Sequence, residues 1–356
     1  MMDPTDKHII SNQATIRQAL GKLNELSGRV MTLFVTDSSG RLFGTLTDGD
    51  IRRGLLAGAD LDDCVDNVAF RDFRALQAND PDLNSLRQWR AQGIRLIPEL
   101  NADGTIADII DTSVTATRLP VSAILMAGGK GERLRPLTIN TPKPLLPIGG
   151  KAIIDYNVEA IERAGIRRIR VAVNYLANQI RDHFQSRRSS AVIECVGEPA
   201  PLGTLGAASL MDHEPGGDTL VMNADILTTI SLEDLYLHHR NERNDITIAA
   251  IPYNVAVPYA ILTTSPTDST RVVALEEKPT YAYYANAGIY MISNELLASL
   301  PAGQRTDATD LIESAIAEGR RVGYFPISGV WIDIGSPTDF AHAGELMRQH
   351  RLLTPR

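Results

Sequence analysis

The segment "AGGKGERLRPLTINTPKPLLPIGG", residues 127–150, combines clustered glycines, four cationic side chains and four prolines. Its glycines, Gly128, Gly129 and Gly131, directly follow the apolar run "VSAILM" (121–126), which predicts a β-strand. Successive backbone N–H groups in such a turn can bind phosphate oxygens. The prolines that follow exclude a regular helix. The segment therefore predicts a stiff loop that carries fixed cations past a phosphate-binding turn.

Two better-known phosphate-binding patterns do not fit this segment. In a P-loop the lysine is followed by Ser or Thr, whereas Lys130 is followed by Gly131 and Glu132. A dinucleotide-binding fingerprint needs a third glycine where Leu134 stands, and a helix that opens at once. These mismatches disfavour a nicotinamide-dependent dehydrogenase.

Composition indicates an ordinary soluble protein. The chain has 356 residues, of which 44% are hydrophobic and 22% charged, and its length favours two domains. The net charge of -8 argues against a nucleic-acid partner. Cys64 and Cys195 lie far apart, which indicates neither a disulfide framework nor a zinc site. Neither a signal peptide nor a membrane-spanning run is apparent, so we expect a cytoplasmic protein with no membrane partner.

The first third of the chain contains an internal repeat. "LFVTDSSGRLFGTLTD" (33–48) aligns with "LIPELNADGTIADIIDT" (96–112), and a helical pattern precedes each. Both copies predict a strand, a glycine-containing turn and a second strand, which suggests paired small α+β modules. The polar segment "TSVTATRLP" (112–120) marks the domain boundary. We therefore predict a module pair over 1–118 and a larger domain over 119–356.

In the larger domain, apolar strands alternate with helical stretches. The predicted strands "RRIRVAVN" (167–174) and "TLVMNAD" (219–225) are examples, and the helix "IDYNVEAIERAG" (154–165) precedes both. Such alternation is typical of an α/β fold. We expect a mixed, mostly parallel sheet with helices on both faces.

The repeat resembles a tandem of CBS modules, small domains that bind adenine nucleotides between two copies. In "GTLTDGDIRRG" the family signature is met by Gly44, Thr47 and Asp50, and the resemblance implies that the aspartate holds ribose hydroxyls. In the second copy, Asp108, Asp111 and Val114 stand at these positions. We therefore expect at most one adenine nucleotide effector per chain, and dimerisation through the modules. A purely structural pair remains open, because an aspartate at a helix start also serves as a cap.

The pattern Gly-Gly-x-Gly-x-Arg-x-x-Pro-Leu-Thr, followed by Pro-Lys-Pro-Leu-Leu-Pro, closely resembles the signature of sugar-1-phosphate nucleotidyltransferases. The resemblance implies a Rossmann-like nucleotidyltransferase fold, in which the glycine loop binds the nucleotide. It also implies Arg133 and Lys143 as catalytic cations. Two motifs at a fixed spacing make this the strongest signal in the sequence.

Further segments match the same family in the order that it predicts. "EPAPLGTLGA" (198–207) resembles the loop that holds the nucleotide base, "VMNAD" and "WIDIG" resemble the segments that carry the Mg²⁺ ligands, and "EEKP" and "NAGIY" resemble the sugar-phosphate contacts. Ala224 stands where the family more often has glycine. The implied residues are Glu198, Gly203 and Thr204 for the nucleotide, Asp225 and Asp333 for Mg²⁺, and Glu277, Lys278, Asn286 and Gly288 for the sugar phosphate.

The implied reaction is attack by a sugar-1-phosphate oxygen on the α-phosphorus of a nucleoside triphosphate, with release of pyrophosphate. The attacking phosphate, with a second pKa of about 6, is mostly a dianion at neutral pH, so no general base is required. Fixed cations and Mg²⁺ are required, because two polyanions must meet.

Resemblance to bacterial enzymes favours GTP and a hexose or aminohexose 1-phosphate as the substrates, in a homo-oligomer of two or more chains. Uridylyl or thymidylyl transfer remains an alternative, as does an inactive regulatory paralogue. The inactive alternative is disfavoured because such paralogues generally lose the loop Arg, the loop Lys or a metal-binding Asp.

Overall fold

The computed structural model describes residues 7–78 and 81–349, and the chain divides into two units. The first unit runs to Pro120 and includes Arg163–Gly165, whereas the second contains Val121–Glu162 and continues from Ile166. In the described residues, we find no helix long and apolar enough to cross a bilayer.

The first unit contains two three-stranded sheets of the same design. In the first sheet, β1 (Ile9–Ser11) lies parallel to β2 (Thr32–Thr36), and β2 pairs antiparallel with β3 (Leu42–Thr47). In the second, β4 (Leu76–Gln77), β5 (Leu96–Leu100) and β6 (Ile106–Asp111) repeat this order and these directions. The helices are α1 (Ile16–Glu25), α2 (Asp48–Leu56) and α3 (Leu83–Ala91). The predicted strand–turn–strand repeat is thus confirmed.

The helices that precede each strand pair follow from local sequence. Thr15 caps α1 in a reciprocal capping box with Gln18, and the buried face of α1 contains Ile16, Ala19 and Leu23. Asp82 caps α3, its side chain accepting from the N–H groups of Asn84 and Ser85. Only the first copy has a helix directly after its second strand, within the described residues.

A seven-stranded sheet forms the centre of the second unit. Its strands are β7 (Ser122–Met126), β10 (Arg168–Val173), β11 (Val192–Gly197), β12 (Asp218–Asn223), β14 (Ile246–Ala256), β17 (Thr280–Ser293) and β18 (Val322–Pro326). They lie side by side in the order β11-β10-β7-β12-β17-β14-β18. The first four strands of this order are mutually parallel, β17 is antiparallel to both neighbours, and β14 and β18 are parallel. The predicted mixed, mostly parallel α/β fold is confirmed.

Helices and short turns cover this sheet. Successive residues of β7, Ala123, Ile124 and Leu125, are fully buried, so both faces of the central strand are covered. The helices are α4 (Ile153–Arg163), α5 (Ala177–Ser186), α6 (Leu232–Asn241), α7 (Asn294–Ala298), α8 (Ala308–Ala317) and α9 (Pro337–Gln349).

Three two-stranded sheets lie outside the main sheet in the described part of the second unit, and two of them have strands of only two or three residues. These two are β8 (Pro147–Ile148) with β9 (Lys151–Ala152), and β13 (Ile226–Thr228) with β19 (Trp331–Asp333), both antiparallel. Residues 127–146 contain only short 3-10 turns, at Glu132–Leu134 and Lys143–Leu145. The prediction that the prolines prevent a regular helix is confirmed.

The second unit also has a long hairpin that the sequence analysis did not predict. β14 and β17 extend past the main sheet, and β15 (Ile261–Ser265) and β16 (Asp268–Glu276) continue the same hairpin to its tip. We call residues 251–285 the β-arm.

Candidate active site

The candidate site lies where β7 and β12 end side by side. Met126 and Asn223, the last residues of these parallel strands, are register partners, and the N–H of Ala224 donates to the carbonyl of Met126 (3.1 Å). The glycine loop follows β7, and Asp225 follows β12. In open α/β sheets, ligands bind at the carboxyl ends of parallel strands. The chain therefore brings its phosphate-binding turn and an acidic residue to that edge.

Two of the loop glycines are required by packing. A Cβ atom on Gly128 would lie 2.6 Å from Oε1 of Glu198. Gly131 has a positive φ of 59°, and a Cβ there would lie 3.0 Å from the side chains of Lys143 and Thr138. Gly129 instead faces open space. Close packing at Gly128 and Gly131 thus fixes the turn on both sides of Gly129, whose backbone is accessible.

The proline-rich part of the loop is held by hydrogen bonds to its backbone. The Thr138 hydroxyl donates to the carbonyl of Gly131 (2.8 Å). The Tyr175 hydroxyl lies within hydrogen-bond distance of the carbonyls of Thr138 and Ile139, and Gln179 of α5 donates to the carbonyl of Asn140 (2.9 Å). Sequence reasoning missed Tyr175 and Gln179, because a side chain that binds a distant backbone leaves no motif.

Lys143 is buried and lies between two carboxylates. Its ammonium group donates to Oδ2 of Asp225 and is 3.9 Å from Oδ1 of Asp333. The pairing of β13 with β19 brings these aspartates together, since Ile226 is opposite Asp333 and the N–H of Ile334 donates to the carbonyl of Asp225 (3.1 Å). Three of the predicted residues, far apart in sequence, thus meet in one cluster.

The surroundings of Asp333 shift the pKa of its carboxyl. Burial, and secondarily the neighbouring carboxylate of Asp225, raise the pKa of the Asp333 carboxyl, while Lys143 and Arg133 oppose the shift. The guanidinium of Arg133 packs against Gly335, where a Cβ would lie 3.3 Å from it. Arg133 therefore belongs to the same cluster.

The two acidic residues suit a hard divalent cation such as Mg²⁺. Mg²⁺ takes oxygen ligands and is usually held by one or two carboxylates together with substrate phosphates. Asp225 and Asp333 supply that donor set. Among the residues that the structure describes, no group of three or more His, Cys, Asp and Glu is arranged to hold a metal by itself. The cluster fits Mg²⁺ that arrives with a phosphate ligand.

The predicted base-binding loop follows β11. Glu198 accepts a hydrogen bond from the N–H of Leu202 (3.1 Å), lies beside Gly128, and has its carboxyl pKa raised by burial. Thr204 donates its N–H to Asp307 (2.9 Å), and a Cβ on Gly203 would lie 2.7 Å from the same carboxylate. Glu198 thus lies beside the glycine turn, whereas Gly203 and Thr204 attach the loop to the start of α8.

Asn286 and Gly288 lie beside the carboxylate cluster. The amide oxygen of Asn286 accepts from the N–H of Gly288 (2.9 Å), and a Cβ on Gly288 would lie 2.5 Å from Nδ2 of Asn223. The indole of Trp331 donates to the carbonyl of Ala287 (2.9 Å). Asn223 and Trp331, each two residues before an aspartate of the cluster, were not singled out by sequence reasoning.

The structure does not bring Glu277 and Lys278 into this cluster. Both are exposed in the turn between β16 and β17, and Lys278 has a positive φ of 47°. Within residues 7–78 and 81–349, neither side chain forms a hydrogen bond or ion pair with the cluster.

In the first unit, Thr47 and Asp50 bond to each other. The N–H of Thr47 donates to Asp50 (2.8 Å), and the N–H of Asp50 donates to the Thr47 hydroxyl (3.3 Å). This capping box starts α2, and Arg53 pairs with the second carboxylate oxygen. In the second copy, Val114 stands at the position of Asp50, and Asp108 stands at the position of Gly44. Asp108 pairs with Arg118 (3.2 Å), which also binds the buried Glu99 (2.9 Å). The two copies therefore differ in chemistry at corresponding positions.

Comparison with known proteins found a family for the second unit. A family model described as nucleotidyl transferase matches residues 122–350. The chain is 32% identical to mannose-1-phosphate guanylyltransferase of Mycobacterium tuberculosis, covering 64% of this chain and 65% of that protein. It is 30% identical to the mannose-1-phosphate guanylyltransferase catalytic subunit beta of Danio rerio, covering 62% of each.

A solved structure, HddC from Yersinia pseudotuberculosis, resembles the fold with a TM-score of 0.50 at 22% identity. That comparison covers 64% of this chain and 99% of HddC. The chain spans 60–65% of the length of the curated relatives compared with it.

Proposed function

The chain belongs to the nucleotidyl transferase family, and we propose that it transfers GMP from GTP to a sugar 1-phosphate with release of pyrophosphate. The main support for this proposal is one cluster of two cations and two carboxylates next to the glycine turn, formed by Arg133, Lys143, Asp225 and Asp333. Guanylyl transfer is supported by relatives at 30–32% identity that are named mannose-1-phosphate guanylyltransferases. A hexose or aminohexose 1-phosphate is the proposed acceptor.

The cations of the loop carry the phosphate chemistry in this proposal. The N–H groups of Gly128, Gly129 and Gly131 and the planar guanidinium of Arg133 bind the β- and γ-phosphates. Lys143 neutralises charge that develops on the α-phosphate. Since the sugar phosphate is already mostly a dianion at neutral pH, the site needs no general base.

Asp225 and Asp333 would hold Mg²⁺. When bound, Mg²⁺ supplies positive charge that stabilises the phosphoryl group during transfer. Within the protein, the positive charge of Lys143 offsets part of the negative charge of the same two carboxylates.

The acceptor is assigned to the other side of the cluster. Asn286 and the backbone of Gly288 bind the sugar. Gly288 packs against Asn223, which lies two residues before Asp225. Glu277 and Lys278 bind the sugar and its phosphate from the turn between β16 and β17, midway along the β-arm, where their exposure leaves them accessible. Glu198 and the loop through Gly203 and Thr204 border the nucleotide base.

We assign residues 1–118 to a regulatory module pair and 119–356 to the catalytic domain. One adenine nucleotide binds near Thr47 and Asp50, and the enzyme works as a homo-oligomer in the cytoplasm, where nucleoside triphosphates and sugar phosphates are made. The second copy has Val114 where the first has Asp50, and its Asp108 is paired with Arg118, which supports a single effector site per chain.

A matrix of four nucleoside triphosphates against a panel of sugar 1-phosphates, scored by pyrophosphate release, tests the proposal. We expect the largest kcat/KM with GTP. A tenfold preference for UTP or dTTP would replace guanylyl transfer by uridylyl or thymidylyl transfer. Absence of pyrophosphate release with every pair would favour the inactive paralogue.

A further inference from the structure

A cavity lies at the edge of the main sheet opposite the candidate active site. Its volume is about 510 Å³, within the range of roughly 300–1,000 Å³ that is typical of small-molecule pockets. Asp218, the first residue of β12, lines the cavity, whereas Asp225 follows the other end of that strand. At a rise of about 3.3 Å per residue, the two aspartates lie on the order of 20 Å apart. The cavity is therefore large enough for a small molecule and separate from the cluster around Lys143.

The wall of this cavity is polar. Among the described residues, those that line it are charged, polar or glycine, with no apolar side chain. One of them, Ser293, is opposite Asp218 in the register of β12 and β17, and its buried hydroxyl has no hydrogen-bond partner in the described part of the chain. Buried polar groups are nearly always paired, and an exception calls for a bound ion, water or ligand. The wall therefore suits a ligand that offers hydrogen bonds and charge.

The carboxylates that line the cavity already have partners. Oδ1 of the buried Asp218 lies 3.3 Å from Nε2 of His239, and its Oδ2 lies 3.4 Å from the guanidinium of Arg240. Glu295, which is exposed at the rim, pairs with Arg320 (3.1 Å). The negative charges of the lining are therefore compensated within the protein, and the cavity does not repel an anion.

Two guanidinium groups in the cavity have unused donors. Arg243 is exposed, and its side chain forms no ion pair or hydrogen bond with any residue that the structure describes. Arg240 donates one N–H to Asp218, which leaves most of the five N–H donors of its guanidinium free. Both arginines line the same cavity, so their donors are available to one anion.

The backbone of Arg243 also points to a role for its side chain. Helix α6 ends at Asn241, and Arg243 has a left-handed φ of 53°. The N–H of Arg243 donates to the carbonyl of Arg240 (3.1 Å), and the N–H of Asn244 donates to the carbonyl of His239 (3.1 Å). These two bonds define a helix end at which glycine is the usual residue, because any Cβ is strained there. An arginine at such a position indicates a function other than folding.

We propose that this cavity binds a phosphate monoester of the size of a sugar phosphate or a mononucleotide. The guanidinium groups of Arg240 and Arg243 hold the phosphate, since a planar fork of N–H donors matches two of its oxygens. The rest of the polar lining, which includes Asn244 and Ser293, pairs with hydroxyl groups of the ligand. This inference does not depend on the proposed reaction, because the cavity lies away from the cluster that carries it.

The test follows modification of the full-length chain by the arginine reagent phenylglyoxal, with each modified arginine located by mass spectrometry. The probes are inorganic phosphate, GMP and mannose 1-phosphate, each over a concentration series. A ligand in the cavity should slow modification of Arg243, by about tenfold once the free ligand reaches about ten times Kd. Arg271, an exposed arginine of β16 that does not line the cavity, is the internal control and should react at a constant rate.

The three probes distinguish the sources of the phosphate. We expect GMP or mannose 1-phosphate to protect Arg243 at lower concentration than inorganic phosphate does, because the cavity has room for more than a phosphate group. Equal protection by all three would show that only the phosphate group is recognised. Either that result or the absence of protection at millimolar concentration would overturn the proposal.

The variant Arg243→Gly separates a ligand contact from a role in folding. Glycine suits the left-handed backbone, so the variant should unfold at the same urea concentration as the wild type or a higher one. Its affinity for the ligand, followed by protection of Arg240, should fall by about tenfold or more. The matched control is Lys278→Gly, which also removes a cation from a left-handed position (φ 47°), outside the cavity, and should leave that affinity unchanged. Wild-type affinity in Arg243→Gly, or a loss of its stability, would contradict the proposal.

Discussion

The ammonium group of Lys143 pairs with the carboxylate of Asp225, 82 residues further along the chain. The pair joins the proline-rich loop after β7 to the residue that follows β12, and Asp333 lies beside it. Because Lys143 is buried and so less screened by water, its positive charge attracts both carboxylates more strongly than an exposed lysine would. It offsets part of the repulsion that contributes to the raised pKa of Asp333.

Replacing Lys143 by alanine should lower kcat by about 10²-fold or more, as for other lost electrostatic donors to a transition state. Steady-state pyrophosphate release measures the effect. The control is Lys151→Ala, a partly buried lysine that pairs with Glu159 (2.7 Å) and should retain wild-type kcat. An unchanged kcat for the Lys143 variant would remove this residue from the mechanism.

Replacing Asp225 by asparagine should abolish most Mg²⁺-dependent turnover while the chain stays folded, because the amide keeps the size of the carboxylate and loses its charge. Turnover against Mg²⁺ concentration and Mn²⁺ binding followed by electron paramagnetic resonance give two readouts. Asp62→Asn, in an exposed pair with Arg17, is the charge-matched control. Wild-type Mn²⁺ affinity and turnover in the Asp225 variant would contradict the metal assignment.

The sequence predicted the residues that follow strand ends better than those that support them. The glycine loop and Asp225 directly follow apolar runs, so parallel pairing of β7 and β12 was enough to bring them together. Tyr175 and Trp331 act through bonds to distant carbonyls, which no spacing encodes. The β-arm was missed because its strands are exposed on both faces and lack the alternation of a half-buried strand.

Gly288 should tolerate no side chain. Gly288→Ala adds a Cβ at 2.5 Å from Asn223 and at a φ of 70°, whereas Gly303→Ala has a similar φ of 64° and nothing within 4 Å. Strain at positive φ costs about 1–3 kcal/mol in both variants, and only Gly288→Ala adds a clash. We expect a larger loss of unfolding free energy for Gly288→Ala.

Trp89→Phe leaves Trp331 as the sole tryptophan, so fluorescence in that background follows the second unit during urea unfolding. Equal losses of unfolding free energy in Gly288→Ala and Gly303→Ala would show that the structure relaxes around the new contact with Asn223 at no cost in stability.

Asp50→Ala should abolish binding of AMP to the full-length chain, as measured by calorimetry. It also removes a capping box, which should cost the first unit about 1 kcal/mol. Thr15→Ala removes the equivalent cap of α1 and controls for that loss. No AMP binding by the wild type at millimolar concentration would leave the modules a structural role. Equal weakening in both variants would mean that Asp50 acts only through the fold.

Glu198 should make the stability of the second unit depend on pH. Burial raises the pKa of its carboxyl in the folded protein, so the folded state binds this proton more tightly than the unfolded state. The stability from this group is therefore present at low pH. It is lost as pH rises from about 4, near the ordinary glutamate pKa, to the raised folded value. Glu198→Gln does not titrate and lacks this loss, so its unfolding free energy relative to wild type should increase through that window and then level off.

Urea unfolding in the Trp89→Phe background at a series of pH values measures the difference. Glu194→Gln, on the exposed side of the same strand β11, is the matched control. A difference between Glu198→Gln and wild type that is constant with pH would mean that folding does not change the pKa of this carboxyl, and one that falls as pH rises would mean that the carboxylate is stabilised in the folded protein. In that case Glu198 would have a bonding partner beyond the N–H of Leu202, and its place beside Gly128 would have to be reconsidered.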